Sequence, residues 1–121
     1  MNWEIEYTDE FGSWWECLRT NEQSSVEASV RLLGQFGPAL RFPHCSAIKG
    51  ARHGNLRELR IQHGGRPFRI LYAFDPRRCV LLLIGGDRTG HNRWYIEYVP
   101  MAERLYDEHL ATLLNEELND G

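Results

Sequence analysis

The stretch LRELRIQHGGRPFRILYAF at residues 56–74 constrains this chain more than any other. Apolar and polar residues alternate on both sides of Gly64-Gly65, which is the period of two β-strands, and a glycine pair accepts the positive φ angles of a two-residue hairpin turn. Such a turn fixes the register. His63 faces Arg66, and counting back places Ile61 opposite Phe68 and Leu59 opposite Ile70, an apolar face. The other face sets Gln62 against Pro67, Arg60 against Arg69 and Glu58 against Leu71. Two guanidiniums directly across a ladder repel by roughly tenths of a kcal/mol or more. Either Glu58 offsets this locally while the long side chains splay into water, or the pair brackets an anion such as a phosphodiester, with Arg88 as a third fork.

The remaining elements read outward from this hairpin. Asp75-Pro76-Arg77-Arg78 supplies a turn, and CVLLLIGG at 79–86, apolar throughout, reads as a central strand buried on both faces. Upstream, Trp3, Ile5 and Tyr7 alternate with Asn2, Glu4 and Glu6 in a half-buried strand. Thr8 caps a short helix whose apolar positions are Phe11, Trp14, Trp15 and Leu18. A second helix begins near Gln23, buries Val26, Val30, Leu33 and Phe36, stops at Gly37-Pro38, and forms a helical hairpin with the first. Residues 39–55 lack periodicity and read as an exposed connection. After a loop rich in Gly, Asp and Arg, Pro100 opens a last helix with a stripe of Ala102, Leu105, Tyr106, Leu110, Leu113 and Leu114. The expected fold is one α+β domain over residues 1–121: an N-terminal strand, a helical hairpin, a three-stranded antiparallel meander and a C-terminal helix, with the helices packed on one sheet.

Composition narrows the function classes. An apolar fraction of 42% suffices for an ordinary core. No stretch approaches the roughly 18 apolar residues of a membrane helix, and MNWEIEYTDE is acidic where a signal peptide is basic, so a soluble cytoplasmic protein is expected. Cys17, Cys45 and Cys79 are an odd number without paired spacing, which argues for a reducing compartment; Cys17 and Cys79 read as buried fillers. His44, Cys45 and His53 lack a recurrent zinc spacing, and no metal or cofactor is expected. The net charge of -3 conceals a division: residues 1–40 carry -5, residues 41–95 carry +8, and residues 96–121 carry -6. Of fourteen basic residues only Lys49 is not arginine, and the planar guanidinium suits phosphate better than a point charge does. A basic middle keeps a nucleic-acid partner open. Trp14 and Trp15 read either as core or as platforms for stacked bases.

The run LRELRIQHGGRPFRILYAFDPRRCVLLLIGGDRTG resembles the core of the RelE/ParE toxin superfamily, most closely its HigB-type, phage-derived branch, with an E-L-R-I strand, an F-R-I-L-Y strand and a terminal R-T loop. The resemblance implies a RelE-like fold and the toxin of a type II toxin–antitoxin system. Its partners would be a cognate helix-turn-helix antitoxin, forming a hetero-oligomer, together with the ribosome and mRNA. For RelE and HigB types it implies ribosome-dependent cleavage of mRNA by metal-independent attack of a 2′-hydroxyl on the adjacent phosphate. Matched by position, Arg69, Arg88 and Arg60 correspond to the family's phosphate-binding arginines, and Lys49 falls in a loop that often holds another basic residue. Fixed cations suit the charge that builds on phosphoryl oxygens in such a reaction. Candidate bases are His53, Glu58 and Lys49; candidate acids are Arg88, His91 and Tyr95. ParE-type relatives share the fold and act without catalysis on DNA gyrase, so a protein-binding toxin is the alternative.

Overall fold

A computed structural model describes residues 2–120. Its elements run β1 (Glu4–Tyr7), α1 (Asp9–Glu16), α2 (Thr20–Phe36), a 3-10 turn at Gly37–Ala39, β2 (Cys45–Ala47), β3 (Leu56–His63), β4 (Arg66–Phe74), β5 (Cys79–Asp87) and α3 (Trp94–Asp120). One five-stranded sheet has the order β1-β5-β4-β3-β2, with β1 parallel to β5 and the other pairings antiparallel. The β3–β4 register is the one expected from the glycine turn, pairing His63 with Arg66, Arg60 with Arg69 and Leu59 with Ile70. Gly64 and Gly65 have φ of 55° and 79°.

Each face of the sheet has its own core. Leu59, Ile61, Phe68, Ile70, Tyr72, Val80 and Leu82 pack with Phe11 of α1 and with Val26 and Leu33 of α2. Leu56, Leu71, Ala73, Leu81, Leu83 and Ile84 pack under α3 against Trp94, Val99, Ala102, Leu105 and Tyr106. This is the mixed α+β architecture expected, and β5 is apolar because it contributes to both cores. A register shift where Leu71 pairs with Ile84 but Tyr72 with Leu82 leaves Leu83 unpaired, a bulge that turns both Leu83 and Ile84 toward α3. Beyond it, Gly85 and Gly86 admit large rings on opposite faces. A Cβ at Gly85 would stand 2.2 Å from Trp14, and one at Gly86 2.7 Å from Trp94 Nε1.

Several expectations are corrected. Residues 39–55 are not wholly an exposed connection, because Cys45–Ala47 form β2 and extend the meander to a fourth antiparallel strand; three residues are too few to show a period. α2 begins at Thr20, where the Glu22 carboxylate accepts the Arg19 amide at 2.8 Å. α3 begins at Trp94, six residues before Pro100. Burial of Trp94 and Val99 outweighs the bond lost at the proline, and Ile96 and Pro100 lie on the water-facing side. Phe36, Tyr7 and Leu114 are exposed rather than buried, and Leu18 lies past the end of α1. Cys17 is exposed at the end of α1, whereas Cys45 and Cys79 are buried.

Candidate active site

The α3 face of the sheet changes character toward the β3–β4 turn, where its inward residues are Glu58, Arg60 and Arg69 instead of leucines. Arg69 lies between Arg60 on β3 and Gly86 on β5, and is only 4% exposed. Its Nη1 donates to the Phe68 carbonyl at 3.0 Å. Glu58, 5% exposed, is the counter-ion. Its Oε1 accepts from Ser46 Oγ at 2.8 Å and Arg60 Nη1 at 3.2 Å, and stands 3.9 Å from Arg69 Nε. One carboxylate thus offsets the repulsion of the facing guanidiniums, as local compensation requires.

Compensation is incomplete. Arg69 Nε and Arg88 Nε are both buried donors without a hydrogen-bond partner among the described residues. Leaving such a donor unpaired costs about 1–3 kcal/mol, so the arrangement is expensive unless an acceptor arrives. The Arg88 amide bonds the Pro67 carbonyl at 3.0 Å, which fixes the start of the loop after β5, and its guanidinium lies 5.2 Å from the centre of the Tyr95 ring. Tyr95 comes from the first turn of α3. Burial pushes its phenol above the usual tyrosine range, the neighbouring Glu58 carboxylate adds to the rise, and Arg69 opposes it. A neutral phenol, a carboxylate and two guanidiniums, each with an unpaired Nε, therefore share one place. Lys49, exposed, completes the rim of a recess lined by Ala47, Ile48, Glu58 and Tyr95.

The histidines are engaged elsewhere. His53 Nε2 is 2.6 Å from Asp107 Oδ1 on α3 and meets the Tyr106 ring edge-on. With Arg52, whose guanidinium also reaches Asp107 at 2.8 Å and whose amide bonds Glu103, it clips the β2–β3 loop to α3. His91 pairs with Glu97 at 3.3 Å and faces Tyr98. The structure thus gathers Glu58, Arg60, Arg69, Arg88, Tyr95 and Lys49, and ties His53 and His91 to other partners. Trp14 and Trp15 pack on the opposite face with the first core. Sequence reading missed Ser46, which reaches Glu58 because β2 pairs with β3, and Phe42, whose ring lies 5.2 Å from the Arg60 guanidinium. Neither carries a local signal.

The family described as phage-derived protein Gp49-like matches residues 13–107. Two Mycobacterium tuberculosis proteins bearing the toxin names HigB2 and HigB3 are each 36% identical, over 85% and 82% of this chain. The chain spans 52% of the length of the first and 86% of the second. Among solved structures, it is similar to a mutant of the Escherichia coli toxin RelE in the free state, at a TM-score of 0.59 and 9% identity, over 78% of this chain and 92% of that one. It is also similar to the RelE–RelB complex of Pyrococcus horikoshii, at 0.53 and 16%, over 73% of this chain and 97% of that one. At such identities the structural likeness speaks for the fold. By the extent of its family match and its identity to proteins named HigB, the chain belongs to the phage-derived Gp49-like family and groups with the HigB-type proteins, on a fold like that of RelE.

Proposed function

We propose that this chain is the toxin of a type II toxin–antitoxin pair, that it cleaves translated mRNA on the ribosome, and that a cognate helix-turn-helix antitoxin holds it inactive. The observation that carries this reading is the pair of buried, unsatisfied Nε donors of Arg69 and Arg88 beside Tyr95 and Glu58. A phosphodiester supplies the acceptors that both lack. In the reaction, the 2′-oxygen bonds to phosphorus and the bond from phosphorus to the 5′-oxygen breaks, leaving a 2′,3′-cyclic phosphate and a 5′-hydroxyl. Arg69 and Arg88 stabilise the charge growing on the phosphoryl oxygens. Glu58 accepts the proton of the attacking hydroxyl, and the neutral Tyr95 phenol gives one to the departing oxygen. Arg60 holds the Glu58 carboxylate in place through its 3.2 Å bond, and Lys49 attracts the strand from the rim. His53 and His91 take no step.

The test is induction without antitoxin, following protein and DNA synthesis by pulse labelling. Protein synthesis should stop first, with mRNA cut at mappable sites. Arg88→Ala should lower the cleavage rate by about 100- to 1,000-fold, the usual consequence of losing one stabiliser of transition-state charge, without changing the melting temperature. Earlier loss of DNA synthesis would replace this reading with the gyrase-directed one.

A further inference from the structure

We propose that Phe42 is a platform on which one nucleobase flanking the scissile phosphate stacks. The inference rests on the RNA-cleaving reading above and adds a subsite to it. Phe42 is 70% exposed. It stands just before β2, in a segment held to β3 by the bond from the Arg60 amide to the His44 carbonyl at 2.8 Å. One face of the ring is covered by the Arg60 guanidinium at 5.2 Å, and its exposure leaves the other face to water. Arg60 reaches in the opposite sense to Glu58, which stands beside Arg69. The chain of contacts therefore runs from an open aromatic face, through the Arg60 cation and the Glu58 carboxylate, to the guanidinium assigned to the phosphate.

This arrangement matches the chemistry of a single strand, whose charged backbone and flat bases alternate. Other exposed apolar side chains, at Tyr7, Phe36, Ile96, Leu114 and Leu118, carry no site arginine on a ring. Trp14 and Trp15, the obvious stacking residues by type, are packed on the far face of the sheet. An open ring beside a guanidinium receives any base but favours one with a large π-surface, so Phe42 contributes to where the strand is cut as well as how fast.

The experiment uses ribosomes programmed with a short synthetic mRNA, intact or carrying one abasic nucleotide at each position flanking the cut, and measures the cleavage rate at subsaturating toxin. For the unaltered protein, one abasic position should slow cleavage about tenfold, within the range for loss of one base–aromatic stack. Phe42→Leu should slow the intact mRNA similarly and make the rate indifferent to that abasic position, while Phe42→Trp should restore both rate and sensitivity. Several outcomes would overturn the proposal while leaving mRNA cleavage standing: a full rate for Phe42→Leu, a slower rate that keeps the same abasic sensitivity, or no sensitive position in the unaltered protein. The second of these would assign Phe42 to propping Arg60. Absence of cleavage by the unaltered protein overturns the functional reading and this one with it.

Discussion

The two faces of the sheet are built from the same strands and differ in what they leave unpaired among the described residues: on the α1–α2 side a single tyrosine hydroxyl, that of Tyr72, and on the α3 side the Nε donors of two arginines. On the α1–α2 side, aromatic rings meet edge to face, Trp14 with Phe68 at 6.0 Å and Phe11 with Trp14 at 5.7 Å, in an apolar core. On the α3 side, leucines cover half the face, and the other half holds the buried Arg69 and the half-buried Arg60 around the single buried carboxylate of Glu58. Phe68 and Arg69 are neighbours in β4 and almost equally buried, at 1% and 4%, yet one closes a core and the other carries an unpaired Nε donor. Burial alone therefore does not separate structure from function here. Unpaired charge does, because a lone hydroxyl such as that of Tyr72 is left without a partner at modest cost in an apolar core, whereas a buried guanidinium gains only when its donors find acceptors.

The largest expected effects come from altering those neighbours in turn. Phe68→Ala should lose about 3–5 kcal/mol of stability, read from urea unfolding, as a large buried ring normally does. Arg69→Met fills the same space without charge; it should unfold at equal or higher urea while cleaving mRNA at least about 100-fold more slowly. If Arg69→Met unfolded as readily as Phe68→Ala, the contrast between the faces would fail. A smaller effect is expected at Gly85, where an added methyl meets the Trp14 ring. Gly85→Ala should cost about 1–3 kcal/mol by overpacking and leave the activity per folded molecule unchanged, since Trp14 belongs to the other face.

The smallest effect concerns the turn that joins the faces. Asp75 is buried between β4 and β5, accepts from Arg77 Nη2 at 2.6 Å and the Cys79 amide at 3.1 Å, and lies 2.9 Å from His109 Nε2 on α3. Burial by itself would raise its carboxyl, but the bonds from His109, Arg77 and Cys79 prevail and hold it below the usual carboxylate range. A folded-state value below the unfolded one gives stability that is complete above the unfolded value, about pH 4, and is lost as pH falls through the folded one. Urea midpoints measured from pH 6 down to pH 3 should therefore fall, and Asp75→Asn should flatten part of that fall. An unchanged slope in the variant would remove Asp75 from the account.

Much of the site was legible where chemistry follows local pattern. Arg60, Arg69 and Glu58 were found by counting from the glycine turn, because a period of two leaves no freedom about which side chains share a face. Tyr95 was a candidate of uncertain place, since Pro100 read as the opener of α3 and left Tyr95 in the loop. His53 and His91 are the residue types that acid–base chemistry favours, but residue type says nothing of the carboxylates on α3 that hold them.

Short-range periodicity and turn chemistry suffice for the hairpin, its register, the doubly buried β5 and the arginine pair. Long-range packing sets the rest: Glu58 serves both arginines, Ser46 and Tyr95 reach it, Phe42 stays open beside Arg60, and Trp14 and Trp15 lie on the other side. Those meetings bring β2 and the segment before it onto β3 and β4, and α3 from beyond β5 onto the same place. They are set by the pairing of an edge strand too short to announce itself, by a bulge at Leu83 that realigns β5, and by a helix whose start is chosen by the burial of Trp94 rather than by its proline.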